Sequence, residues 1–172
     1  TLLLSSAASD VYKRQVGITG WSRGGAISIM ASEKKLRDAL IDKNLFFAAA
    51  QPRSPPCWSI GMFKNPTPTP ETKTWMVLGG ADNYTAAEPC VELGKKIKAN
   101  GGNIEVTVKK GWHHGFTANY EKEWEKDSMV FTNCPGFFTN DDGTTSSSDP
   151  NYKWAKSCLL YTSPSPRDVL RS

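Results

Sequence analysis

Histidine is nearly absent from this chain: two occur among 172 residues, and they are neighbours, His113 and His114. Any chemistry that needs an imidazole must therefore use one place in the fold. Long apolar runs are also lacking. The leading TLLL stretch is too short to span a bilayer and has no basic leader ahead of it, so no membrane span or targeting segment is read there. Of the four cysteines, Cys57, Cys90 and Cys134 fit neither a zinc-knuckle spacing nor a CxxC redox site, and Cys158 lies near the end of the chain. Cys57 and Cys90 could meet in space or remain ordinary buried thiols, and spacing alone leaves both open. The net charge is +4, but the lysines are scattered along the chain. Without a basic cluster there is no electrostatic footprint for nucleic acid.

The two ends read differently from the middle. Residues 5–15, SSAASDVYKRQ, resemble the in-frame translation of a transposon adapter used in sequencing libraries. Residues 158–168, CLLYTSPSPRD, resemble its partner at the other end. Segments 1–15 and 158–172 are accordingly expected to be adapter-derived, which leaves 16–157 as the protein segment. Lys13, Arg14, Arg167 and Arg171 lie in the ends with Asp10 and Asp168, so half of the +4 excess belongs to them.

Inside 16–157 the pattern is strand, helix, strand, helix, strand. Val16–Thr19 reads as a strand end, and Ala26–Ala31 and Glu33–Lys43 read as helical. Leu45–Ala50 reads as a short buried parallel strand. Prolines at 52, 55, 56, 66, 68 and 70 predict a long surface connection over 51–72. Thr74–Leu78 and Ile104–Val108 read as strands. Between them Glu88–Asn100 reads as an amphipathic helix with Val91, Leu93 and Ile97 inward, stopped by Gly101-Gly102. A charged helix over 119–130 and a polar surface loop over 139–151 complete the segment. This alternation predicts an α/β fold with a parallel sheet and crossover helices.

Between the first strand and helix lies Gly20-Trp21-Ser22-Arg23-Gly24, a G-x-S-x-G sequence in the strand–turn–helix setting of a nucleophile elbow. The flanking glycines are expected to permit the sharp turn, a side chain at either one crowding it. The backbone N–H of Arg23 then faces a developing oxyanion. A serine nucleophile needs a base, and the base needs an orienting carboxylate. Asp82 follows the 74–78 strand through a diglycine, and the histidines follow the 104–108 strand. Ser, Asp, His is thus the chain order, with each residue expected at a strand end. Asp38 and Asp42 lie on a helix face, and Asp141 and Asp142 come after the histidines, in the wrong order.

With these residues in hand the segment resembles the dienelactone hydrolase family of the α/β-hydrolase superfamily. The likeness covers residues 16–117, through GWSRGG, LGGADNYTAAEPC and GWHHGF, with AAAQPRSPPC similar to the family's strand-to-loop stretch. The resemblance favours His114 over His113 as the base, because the family's histidine commonly precedes Gly-Phe. Dienelactone hydrolase itself uses a cysteine where this chain has Ser22, so the likeness is to the serine-bearing, esterase-like branch. It implies hydrolysis of a small carboxylic ester or lactone through an acyl-enzyme on Ser22, with no metal or organic cofactor. The resemblance implies that strands and an oxyanion loop belong ahead of the nucleophile, and these are expected to be missing here. The expectation is thus the C-terminal half of an α/β-hydrolase fold, inactive as written. A non-catalytic scaffold of that fold, or an acyltransferase or peptidase, is the alternative.

Overall fold

The structure is a computed structural model and describes residues 16–58, 62–117 and 137–147. Its elements in chain order are β1 (Gly17–Trp21), α1 (Arg23–Met30), α2 (Lys34–Leu40), β2 (Ala49–Arg53) and β3 (Lys73–Gly79). They continue with α3 (Ala87–Ala99), β4 (Asn103–Lys109), β5 (Phe137–Thr139) and β6 (Thr145–Ser147). The first four strands form one all-parallel sheet in the order β1-β2-β3-β4, and β5 and β6 form an antiparallel hairpin. The α/β class is therefore as expected. The helix expected over 119–130 lies outside the described residues.

Strand order equals chain order. Right-handed crossovers advancing in one direction must leave their helices on one face of the sheet. The core obeys this rule: Ala26 of α1 joins Leu93 and Ile97 of α3 in a single cluster with Met76, Leu78 and Ile104 from the strands. Register puts Met76 opposite Val106 and Thr74 opposite Ile104, so one alternating set of side chains faces the helices. The other set, with Thr19, Gln51, Trp75 and Thr107, is more polar. It makes its own bonds across the sheet, from Thr19 Oγ1 to the Gln51 carbonyl (3.0 Å) and from Trp75 Nε1 to Thr107 Oγ1 (3.0 Å). Trp75 remains 46% exposed there.

Helix α3 ends as its diglycine requires. Gly101 adopts φ +87°, and the Gly101 and Gly102 amides bond back to the Lys98 and Ile97 carbonyls. Glu88 sits in its first turn and Lys96 and Lys98 in its last, both matching the helix dipole. Leu93 and Ile97 are buried as expected, with Val91 packed at the margin.

Three expectations change. The strand predicted over 45–50 begins four residues later, at Ala49, and runs into the proline region. Pro52 is accommodated because β2 pairs with β1 throughout, whereas its ladder to β3 skips Gln51 and Pro52. The 51–72 connection is not a surface loop. Pro52, Pro55, Pro56, Cys57, Met62 and Thr69 are all fully buried. Proline makes this possible, since it carries no N–H that burial would orphan. Several of its polar groups find partners: Glu33 accepts the Thr67 amide and hydroxyl, the Thr69 amide reaches the Ser32 carbonyl, and Arg37 reaches Thr69 Oγ1, while Arg53 Nε and the Ser54 hydroxyl are buried without one among the described residues. Finally, the described part of the 139–151 loop forms the turn and second strand of the β5–β6 hairpin. It is docked through Lys35–Asp141 (2.7 Å) and through the Thr139 amide on the Met62 carbonyl.

Cys57 and Cys90 are joined as a disulfide, resolving the alternative that spacing left open. The bond ties the buried proline segment to α3 across 33 residues of chain.

Candidate active site

Ser22 stands between β1 and α1 with φ 54° and ψ −120°. A positive φ is costly for a residue with a Cβ and persists only where neighbours enforce it. Here the Ser22 amide donates to the Arg53 carbonyl (2.9 Å) at the end of β2, and the Ser22 carbonyl accepts the Ala26 amide (3.1 Å) to open the helix. Serine at a helix N-cap ordinarily turns its hydroxyl back onto the first helical amides. Ser22 makes no such bond, which leaves the hydroxyl uncommitted to the helix. The Arg23 N–H lies in the first turn, where amides have no intrahelical acceptor.

The glycines around Ser22 divide unlike the expectation. A Cβ on Gly20 would lie 2.1 Å from the Gly24 carbonyl oxygen, so the first glycine is required. One on Gly24 meets no described atom within 4 Å. One on Gly25 would stand 2.9 Å from the Arg53 carbonyl oxygen. The second crowded position is therefore Gly25, because the backbone of Arg53 at the end of β2 packs against it one residue after the motif ends.

Asp82 and His114 come from the C-terminal ends of β3 and β4. Their loops are bonded to each other along the backbone: the Gly80 amide to the Lys109 carbonyl and the Ala81 amide to the Trp112 carbonyl, both 2.9 Å. Gly79 permits this approach, since a Cβ there would lie 2.5 Å from the Trp112 carbonyl oxygen. The Asp82 carboxylate is completely buried and accepts four bonds. Oδ1 takes the amides of Tyr84 (2.9 Å) and Thr85 (2.8 Å), while Oδ2 takes His114 Nδ1 (2.8 Å) and Thr85 Oγ1 (2.9 Å). Burial pushes its pKa up, but bonds from His114 and Thr85 outweigh that and hold it below the ordinary 3.8. A carboxylate can only accept, so Nδ1 carries the hydrogen and Nε2 is left as a base.

The His114 ring lies between two aromatic rings, Trp21 at 4.9 Å and Tyr84 at 4.8 Å between centroids. Trp21 also donates its Nε1–H to the His114 carbonyl (2.8 Å), so the residue preceding Ser22 grips the loop that carries His114. His113 is exposed, and its carbonyl accepts the Phe116 amide. Among the described residues no hydrogen bond joins the Ser22 hydroxyl to the His114 ring. Such bonds are often long before substrate is bound.

The other carboxylates are occupied elsewhere. Asp38 pairs with Lys34 and Arg37, Asp141 with Lys35 and Asn65, and Asp142 with Thr144, while Asp42 accepts the Asn44 amide. Among the described residues no group of three or more His, Cys, Asp or Glu is arranged to hold a metal ion, and no helix is long and apolar enough to cross a membrane. An apolar cavity of about 30 Å³ lies between α1 and α3 and touches none of Ser22, Asp82 or His114. Trp58 and Met62 are buried core residues.

Thr85, Trp21 and Tyr84 are site residues that motif reading missed. Thr85 had a signal, the D-x-x-T spacing that lets a side chain and an amide three residues on close a turn. The aromatic pair had none, because only the tertiary fold brings Trp21 to His114 across 93 residues.

No family model and no curated protein matches the chain. Among solved structures it is similar to esterase 2 of the planctomycete Thermogutta terrifontis, at 18% identity over 60% of this chain and 46% of that one, with a TM-score of 0.45. It is also similar to a form of SOBER1 from Arabidopsis thaliana, at 16% identity over 66% of this chain and 51% of that one, TM-score 0.45. A truncated carbohydrate esterase from gut microbiota aligns at 14% identity over 59% and 53%, TM-score 0.42. The chain thus spans about half the length of these structures.

Proposed function

We propose that residues 16–157 carry the catalytic residues of a serine hydrolase acting on small carboxylic esters or lactones, of the kind resembling dienelactone hydrolase. The observation that supports this most is the Asp82–His114 pair with its buried carboxylate, together with a serine in a positive-φ turn whose hydroxyl makes no helix-cap bond. In this reading the Ser22 hydroxyl attacks the carbonyl carbon while His114 Nε2 takes its proton. Asp82 holds the Nδ1–H tautomer and balances the imidazolium. The Arg23 N–H donates to the carbonyl oxygen as it becomes an oxyanion. The imidazolium then protonates the leaving alkoxide, and water, deprotonated by His114, releases the acid from Ser22.

A fluorophosphonate probe tests this directly. In the full-length protein carrying this segment, labelling is expected at Ser22, Ser22→Ala is expected to abolish it, and loss of any triad member is expected to lower ester turnover by about 10⁴-fold or more. Full labelling of Ser22→Ala would assign the nucleophile elsewhere. The missing Ser22–His114 hydrogen bond favours one competing reading, a scaffold that binds without turning over. A p-nitrophenyl ester assay separates the two. Added alcohols that divert the acyl group would mark a transferase instead.

A further inference from the structure

The Thr85 hydroxyl occupies the one point that touches every part of the acid–base pair. It is 2.9 Å from Asp82 Oδ2, 2.9 Å from His114 Nδ1 and 3.1 Å from the Ser54 carbonyl oxygen, in a residue that is 2% exposed. A hydroxyl has one hydrogen and two lone pairs. Because the Nδ1 hydrogen is directed to the carboxylate, the single Thr85 hydrogen is shared between two acceptors, Asp82 Oδ2 and the Ser54 carbonyl oxygen, and a Thr85 lone pair faces Nδ1. A hydroxyl so committed is an acceptor toward Nδ1 and disfavours the alternative tautomer, in which Nε2 would carry the hydrogen and could not act as a base.

Ser54 gives the contact a second purpose. It is fully buried with φ 39°, its amide bonded to the Val77 carbonyl (2.9 Å), and it directly follows Arg53, whose carbonyl holds the Ser22 amide. The Thr85–Ser54 bond therefore links the acid turn to the stretch of backbone that fixes Ser22. The Cys57–Cys90 disulfide closes the same pair of segments a few residues further on.

We infer that Thr85 is a positioning residue: its hydroxyl locks the Nδ1–H tautomer of His114 and ties the Asp82–His114 pair to the Ser54 turn behind Ser22. This rests on the hydrolase reading, and its test is chosen to separate the two. His113→Gln leaves a single imidazole in the chain, so ring ¹⁵N chemical shifts report the His114 tautomer without reference to activity. The expected result is one tautomer, hydrogen on Nδ1, in the Thr85 protein and in Thr85→Ser, with a mixture in Thr85→Val. Should the buried valine prevent folding, Thr85→Ala provides the same comparison. In turnover, Thr85→Val is expected to lower kcat about 10- to 100-fold with little change in KM, the size expected when one buried hydrogen bond to a charged pair is lost. Thr85→Ser should restore it. In an Asp82→Asn background Thr85→Val should add little, because the two act through one another. An unchanged tautomer in the valine and alanine variants, or equal damage from serine and valine, overturns the inference. Absence of ester turnover in the full-length protein carrying this segment overturns the hydrolase reading alone, and the ¹⁵N shifts still decide the role of Thr85.

Discussion

A methyl group on Gly25 would stand 2.9 Å from the Arg53 carbonyl oxygen, whereas one on Gly24 would meet no described atom within 4 Å. The two residues are chemically identical neighbours in the first turn of α1, so only their surroundings differ. Gly25→Ala must push α1 away from β2, and through the Arg53 carbonyl it disturbs the bond that holds the Ser22 amide. A cost of about 1–3 kcal/mol is expected from such overpacking. Gly24→Ala should be neutral or stabilising by about 0.5–1 kcal/mol, because alanine suits a helix interior better than glycine. Urea denaturation of the two variants checks the ordering. Equal destabilisation would mean that the motif's own glycine is as confined as Gly25.

Among the elements, β2 departs furthest from its sequence pattern. A strand written AAQPR, with a proline inside, survives between two partners because the ladder to β3 is interrupted where Pro52 has no hydrogen to give. The segment between β2 and β3 is unusual for a connection, since it is buried and anchored by a disulfide. Closing a loop of 33 residues removes chain entropy from the unfolded state, worth about 3–4 kcal/mol. Replacing both cysteines, Cys57→Ser with Cys90→Ser, is expected to lower unfolding free energy by roughly that amount. The parent protein in reductant should match it. The comparison is made by urea titration with and without dithiothreitol, and a change well under 1 kcal/mol in both would show that the proline segment is held by packing alone.

For the molecule as a whole, stability is linked to the same acid–base pair that the site is built on. Burial raises the Asp82 pKa, but the bonds from His114 and Thr85 outweigh it, so the folded value lies below the ordinary 3.8. Its contribution is therefore fully present above pH 3.8 and is lost as pH falls through the folded value. Glu33 has the opposite sign. Burial raises its pKa above 4.5 against the bonds from Thr67, so its contribution is present below pH 4.5 and lost as pH rises through the folded value. Unfolding free energy measured from about pH 5 down to about pH 1 should decline in the parent chain and decline less steeply in Asp82→Asn. Parallel curves for the two would show that Asp82 is not the carboxylate whose protonation loosens the fold.

Much of this protein is dictated by local sequence. Helix α3 with its glycine stop, the strands at 73–79 and 103–109, and the order Ser22, Asp82, His114 are set by periodicity, turn chemistry and the sense of a parallel sheet. These depend on residues near one another in the chain, and such patterns survive without knowledge of the fold. The start of β2, the burial of Pro52, Pro55 and Pro56, the Cys57–Cys90 bond and the confinement of Gly25 rather than Gly24 belong to the tertiary structure. Each depends on an atom contributed from a distant segment: a paired strand, a covering helix, or a carbonyl across the sheet. The contacts around His114 are of the same kind. Trp21, Tyr84 and Thr85 reach it only because β1, β3 and β4 end on the same side of one parallel sheet.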